Sequence, residues 1–159
     1  MKLANLITAD RVACDVDTAS KKRALEHISH LISVNSPELN PNDVFESLVA
    51  RERLGSTGLG KGIAIPHGRL KSGNKTIAAF IQLSKGVDFD APDGEPVDLL
   101  CALLVPPECS DEHLEVLALL SEMFSTPELR NNLRNTHNPE EIYGLLANWS
   151  SAHGESDNR

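Results

Sequence analysis

Two nearly unbroken apolar runs, Thr76 to Leu83 and Val97 to Val105, limit what this chain can fold into. Both are bounded by Gly and Pro, and both are short enough to be strands rather than helices. Strands so apolar are buried on both faces, so the rest of the chain must supply cover above and below them. Helical signals stand on either side. Ala24, Leu25, Ile28, Leu31 and Ile32 recur with helical period and stop before Asn35-Ser36-Pro37. Asn40-Pro41 opens a second helix, with Asp43 in a box-like position and an apolar face of Val44, Phe45, Leu48 and Val49. That helix stops near Leu54, where Gly55 suits a left-handed C-terminal position. Three helices close the chain. Ser110 caps one carrying Leu114, Leu117, Ala118, Leu120 and Phe124. Thr126-Pro127 starts one with Leu129 and Leu133, and Asn138-Pro139 starts one with Ile142, Leu145, Leu146 and Trp149. Buried strands between helices give a single α/β layered domain over residues 1–149, and the polar residues 150–159 read as a frayed tail. A chain of 159 residues buries a full core without staples.

The formal net charge of -8, with no long Lys/Arg stretch, argues against nucleic-acid binding. Cys14, Cys101 and Cys109 are odd in number and not tightly spaced, which argues against a disulfide framework; Cys101 reads as a small core residue. No apolar run is long enough to span a bilayer, and the first residues do not read as a signal peptide, so membrane insertion is not expected and the expected location is the cytosol.

Chemistry is concentrated between Arg51 and Gly68. Gly55, Gly58, Gly60 and Gly62 fall within eight residues, and successive backbone N–H groups in such a segment can form a concavity for an anion. Ser56, Thr57, Gly58, Gly60 and Gly68 are the candidate cradle. His67 stands at the end of a short strand, Ile63-Ala64-Ile65, between Pro66 and Gly68. Arg51 and Arg53 precede it and Arg69 follows. Leu54, Leu59, Ile63 and Arg69 are candidates for partner docking. Gly55 to Lys61 imitates the spacing of a nucleotide P-loop, but Gly62 stands where Ser or Thr must hold magnesium. The order here is also helix, loop, strand, and not strand, loop, helix. A neutral imidazole is nucleophilic near neutral pH, and phosphoryl transfer asks mainly for an in-line nucleophile and positive charge around the equatorial oxygens. His113, in the first turn of the helix capped by Ser110, is the candidate second histidine. His27, His30, His137 and His153 read as structural or surface residues.

The run Arg51-Glu52, Gly55-Ser56-Thr57-Gly58-Leu59-Gly60 and Gly62-Ile63-Ala64-Ile65-Pro66-His67-Gly68 closely resembles the mannitol/fructose-type enzyme IIA domains of the phosphotransferase system. Among them it is most similar to the stand-alone nitrogen-related branch. The resemblance extends from about Leu3 to Trp149, with Lys61 and Arg69 as small departures. It implies a mixed, five-stranded sheet flanked by helices. It implies that His67 is the phosphorylated residue, on Nε2 with Nδ1 held by the protein, and that Arg51 and His113 are its active-site companions. It implies a histidine-phosphorylated HPr-type donor and no metal or other cofactor. It makes the chain a phosphotransferase component without small-molecule turnover of its own. For the nitrogen-related branch it implies a regulatory output through proteins such as potassium-uptake or sensor-kinase systems. The competing readings are an enzyme IIA serving a separate fructose- or mannitol-type sugar permease, a protein-binding regulator that works without phosphorylation, and, ranked last, a zinc hydrolase using His67, His113 and a cysteine or carboxylate, since Cys101 and Cys109 are not spaced as a zinc knuckle and no H-E-x-x-H is present.

Overall fold

The computed structural model describes residues 2–73, 75–108 and 111–149, with residues 111–113 described as backbone only. The proposed tail 150–159, Cys109 and the proposed cap Ser110 lie outside the described residues. In chain order the elements are β1 (Val12–Val16), α1 (Lys21–Ile32), α2 (Pro41–Arg53), β2 (Gly58–Gly60), β3 (Ile63–Ala64), β4 (His67–Arg69), β5 (Ile77–Val87), β6 (Val97–Val105), α3 (Asp111–Phe124), α4 (Pro127–Asn135) and α5 (Pro139–Ala147).

The two apolar runs are the centre of a mixed sheet with strand order β1-β5-β6-β3-β2, and β4 also pairs with β6. β5 and β6 are antiparallel, with Ile77 opposite Leu104 and Gln82 opposite Leu99. Their side chains alternate between two cores. Ala78, Phe80, Leu99, Cys101 and Leu103 pack with Val116, Leu120 and Phe124 of α3, Leu129 and Leu133 of α4, and Ile142 and Leu146 of α5. Ala79, Ile81, Leu100, Ala102 and Leu104 pack with Ala24, Leu25, Ile28 and Ile32 of α1 and Val44 and Leu48 of α2. The sheet is therefore covered on both sides, as its composition requires.

Helices start at Pro41, Pro127 and Pro139, as the sequence predicts. Asn40 accepts from the Asn42 amide at 2.8 Å, and Asn138 accepts from the Glu141 amide at 3.1 Å. Asp43 closes no capping box; its carboxylate lies 3.7 Å from Lys71 Nζ. Among the described side chains of α3, Val116, Leu120, Met123 and Phe124 are buried while Leu114 and Ala118 are exposed, so the inward stripe is rotated from the expected one.

The sheet has six strands where five were expected, because Pro66 divides one path into β3 and β4. Pro66 has no N–H to give, yet its carbonyl still accepts from the Leu103 amide at 2.9 Å, so both segments remain parallel to β6. β1 escapes the sequence pattern altogether. It has only five residues, with Asp15 at φ 54° and a register shift between Ala13 and Val16.

Gln82 repairs that irregularity. Its Oε1 accepts from the Asp15 amide at 3.1 Å, and its Nε2 donates to the carbonyls of Leu133 (2.7 Å) and Thr136 (2.8 Å). One buried amide thus ties the bulged edge of the sheet to the end of α4. Gln82→Met keeps the bulk and strands these backbone groups. It is expected to cost about 2–3 kcal/mol in urea unfolding, and an unchanged midpoint would show that water replaces the side chain.

Candidate active site

Pro66 fixes the approach to β4, and β4 presents His67 opposite Leu103 of β6, where the imidazole is half-buried. Its Nδ1 lies 2.9 Å from the carbonyl oxygen of Ile65. A carbonyl only accepts, so this contact requires the proton on Nδ1 and puts the lone pair of the neutral ring on Nε2. The His67 pKa is lowered, chiefly by burial. The Ile65 carbonyl raises it, the Arg51 charge lowers it, and the Glu52 charge raises it. At neutral pH the ring is therefore uncharged.

Arg51 comes from the last turn of α2, where its Nη1 donates to the Gly55 carbonyl at 2.8 Å. His113 lies in the first turn of α3, and its side chain is outside the described residues.

In the glycine segment several of the donors expected to face an anion are engaged by the protein itself. The Thr57 amide donates to Glu52 Oε1 at 3.2 Å and the Thr57 hydroxyl to Glu52 Oε2. The Gly58 amide donates to Ser56 Oγ at 3.0 Å, and Ser56 Oγ donates to the Phe89 carbonyl at 2.7 Å. Ser56, Thr57 and Gly58 thus build the loop. Gly60 leads into a two-residue turn in which Lys61 (φ 60°) and Gly62 (φ 82°) both have positive φ, as a type I′ hairpin needs. The Lys61 amide there donates to Asp93 Oδ2 at 2.9 Å. A loop joining two antiparallel strands by such a turn is not a P-loop. Gly68 serves close packing, since a Cβ there would lie 2.3 Å from Ser47 Oγ on α2.

Of the docking candidates, Leu54 is 84% exposed and Leu59 44%. Arg69 is exposed, with Nη1 on the Pro107 carbonyl at 3.1 Å. Ile63 is corrected: it lies between β2 and β6 with 1% exposure, sealed in the core beside Leu99, and cannot meet a partner. His27 and His30 are exposed on α1, and exposed His137 places Nδ1 2.9 Å from Asp15 Oδ1. Cys101 is buried, its thiol pushed up to about 12 by desolvation, which makes it inert core rather than a metal ligand.

Glu52 is the residue that sequence reasoning passed over. It is a buried carboxylate on α2, held by Lys21 Nζ at 3.0 Å as well as by Thr57. Its position was readable. Val44, Leu48 and Glu52 follow at intervals of four, so the acid sits on the buried stripe.

The comparisons with known proteins agree with this geometry. Residues 5–149 match the family model described as phosphoenolpyruvate-dependent sugar phosphotransferase system, EIIA 2. A nitrogen regulatory protein from Pseudomonas aeruginosa is 44% identical over 146 residues, covering 92% of this chain and 95% of the relative. The crystal structure of nitrogen regulatory protein IIA-Ntr from Neisseria meningitidis superposes with a TM-score of 0.85 at 43% identity, covering 91% of this chain and 98% of that one. The mannitol IIA of Escherichia coli superposes at 0.72 with 25% identity, covering 88% and 98%. No helix among the described residues is long and apolar enough to cross a membrane. With a matching model over nearly its whole length and the fold of the structures above, this chain belongs to the type 2 enzyme IIA family of the phosphotransferase system.

Proposed function

We propose that this protein carries a phosphoryl group on Nε2 of His67, accepted from a histidine-phosphorylated HPr-type protein, and acts as a regulatory component of the nitrogen-related phosphotransferase system. The observation that carries this reading is the contact from Nδ1 to the Ile65 carbonyl, which leaves the nucleophilic lone pair on Nε2 of a half-buried ring. In the step, the Nε2 lone pair forms the new N–P bond while the donor's N–P bond breaks. The donor imidazole leaves with that electron pair and regains a proton from water. The Arg51 charge, close enough to depress the His67 pKa, offsets the negative charge of the passing phosphoryl group. His113 is the second active-site histidine in this reading, and Leu54, Leu59 and Arg69 form the docking rim. The protein works in the cytosol, and its output is contact with regulated proteins, potassium-uptake or sensor-kinase systems among them.

The regulatory reading is favoured over service to a sugar permease by likeness. The nitrogen regulatory relatives stand at 44% and 43% identity, the mannitol IIA at 25%. Intact mass spectrometry after incubation with phosphoenolpyruvate, an enzyme I and its HPr-type carrier tests the chemistry. One acid-labile phosphoryl group is expected. No gain, with donor proteins shown to be active, would leave the protein a phosphorylation-independent binding module.

A further inference from the structure

We propose that Glu52, paired with Lys21, is a positioning residue for His67 and acts on it through Thr57 and Ile65. This rests on the reading of His67 as the phosphoryl acceptor.

Contacts run without a break from the ion pair to the imidazole. Lys21 Nζ, on α1, meets Glu52 Oε1 at 3.0 Å. The same oxygen accepts from the Thr57 amide at 3.2 Å, and the other carboxylate oxygen accepts from the Thr57 hydroxyl. The Thr57 carbonyl accepts from the Ile65 amide at 3.1 Å. The Ile65 carbonyl then takes the Nδ1 proton of His67 at 2.9 Å. Ile65, whose carbonyl sets the tautomer, is thus held at its amide by Thr57, and both amide and hydroxyl of Thr57 are held by Glu52. The far end is anchored as well. Lys21 Nζ stands 4.5 Å above the Phe89 ring and 3.4 Å from the Phe89 carbonyl, the carbonyl that also receives Ser56 Oγ.

Packing alone does not account for this acid. Glu52 continues the stripe of Val44 and Leu48, and its side chain is only 4% exposed, so an apolar residue would fill the place. A buried ion pair seldom stabilises more than a well-packed apolar substitute, whereas it fixes orientation. The charges around it are Lys21 from α1, with Asp90 at 3.8 Å from the same ammonium, and Arg51 beside it on α2. Arg51 and Glu52 act on His67 with opposite signs, so the pair also balances the charge at the nucleophile.

The test is nitrogen-15 NMR of the histidine rings in the whole protein, alongside the rate of phosphoryl uptake. In Glu52→Gln the His67 titration midpoint is expected to fall, since the carboxylate that raises it is gone. The single Nδ1–H tautomer is expected to become a mixture, and uptake to slow about tenfold as the nucleophile loses its fixed orientation. Thr57→Val is expected to give the same tautomer mixing with a smaller change of midpoint, and Thr57→Ser to restore the parental signature. If Glu52→Gln does not fold, the Val and Ser variants at position 57 decide. Folded variants with parental tautomer and rate would overturn the proposal. A wild-type protein that takes up no phosphoryl group, with variants that still show these NMR changes, would sink the carrier reading and leave the positioning intact.

Discussion

His67→Ala takes up no phosphoryl group from the HPr-type donor, and it unfolds in urea within about 1 kcal/mol of the parent. The first half follows from chemistry: alanine has no lone pair to form the N–P bond. The second follows from the setting. The substitution removes the hydrogen bond from Nδ1 to the Ile65 carbonyl, worth about 1 kcal/mol net, and it relieves the burial of a polar ring. Arg51→Ala, by contrast, reaches full phosphorylation about a hundredfold more slowly, since it loses charge stabilisation and keeps the nucleophile. Acidity separates the proteins further. Burial lowers the His67 pKa below the ordinary 6.5, so the folded protein holds fewer protons there than the unfolded chain. The wild type therefore keeps full stability above that value. Relative to His67→Ala it loses stability as pH falls from the unfolded value towards the folded one. The midpoint of the acid-side decline in uptake by the wild type is expected to lie below 6.5. Phosphorylated His67→Ala, seen by intact mass, would assign the acceptor elsewhere.

What the sequence disclosed, and what it withheld, follows the range of the forces involved. Strands buried on both faces announce themselves by composition, and Val97–Val105 was bounded to the residue. Caps at Asn40 and Asn138 are local and were legible too. β1 was not, because five residues with a kink at Asp15 carry no periodic signal. Its strand character comes from pairing with β5 and from Gln82, far along the chain. The site divides in the same way. His67 stood out from its neighbours in sequence. The fate of the glycine loop did not, because counting glycines shows that N–H groups can converge and says nothing of who accepts them. Glu52 and Asp93 do, through turns that only the folded chain closes. Ile63 misled for a related reason: an apolar residue beside a functional loop can face a partner or the core, and here β2 and β6 enclose it.

Gly68→Ala is expected to separate α2 from the acceptor strand, with loss of both stability and transfer. The added Cβ would lie 2.3 Å from Ser47 Oγ, 3.1 Å from Ser47 Cβ and 3.2 Å from the Ser47 backbone carbon. Rotating the serine does not relieve the last of these, so the helix itself must move. Ser47 Oγ also holds β4 directly, accepting from the Arg69 amide and donating to the Arg69 carbonyl, both at 3.1 Å. The same helix carries Arg51 and Glu52, one turn beyond Ser47. A shift that clears the methyl group therefore displaces the two charges that balance His67. The expected costs are about 1–3 kcal/mol in urea unfolding, as for overpacking elsewhere, and uptake slower by about a hundredfold, as for a misplacement near an ångström. Gly68→Ala paired with Ser47→Gly discriminates between causes. Removing the serine side chain takes away the two closest contacts and also the two hydrogen bonds to Arg69, so the double variant is read against Ser47→Gly alone. If steric displacement of α2 is the cause, the double variant is faster than Gly68→Ala and approaches Ser47→Gly; a double variant no faster than Gly68→Ala, with Ser47→Gly alone near the parental rate, would show that the contact with the serine side chain is not what slows transfer.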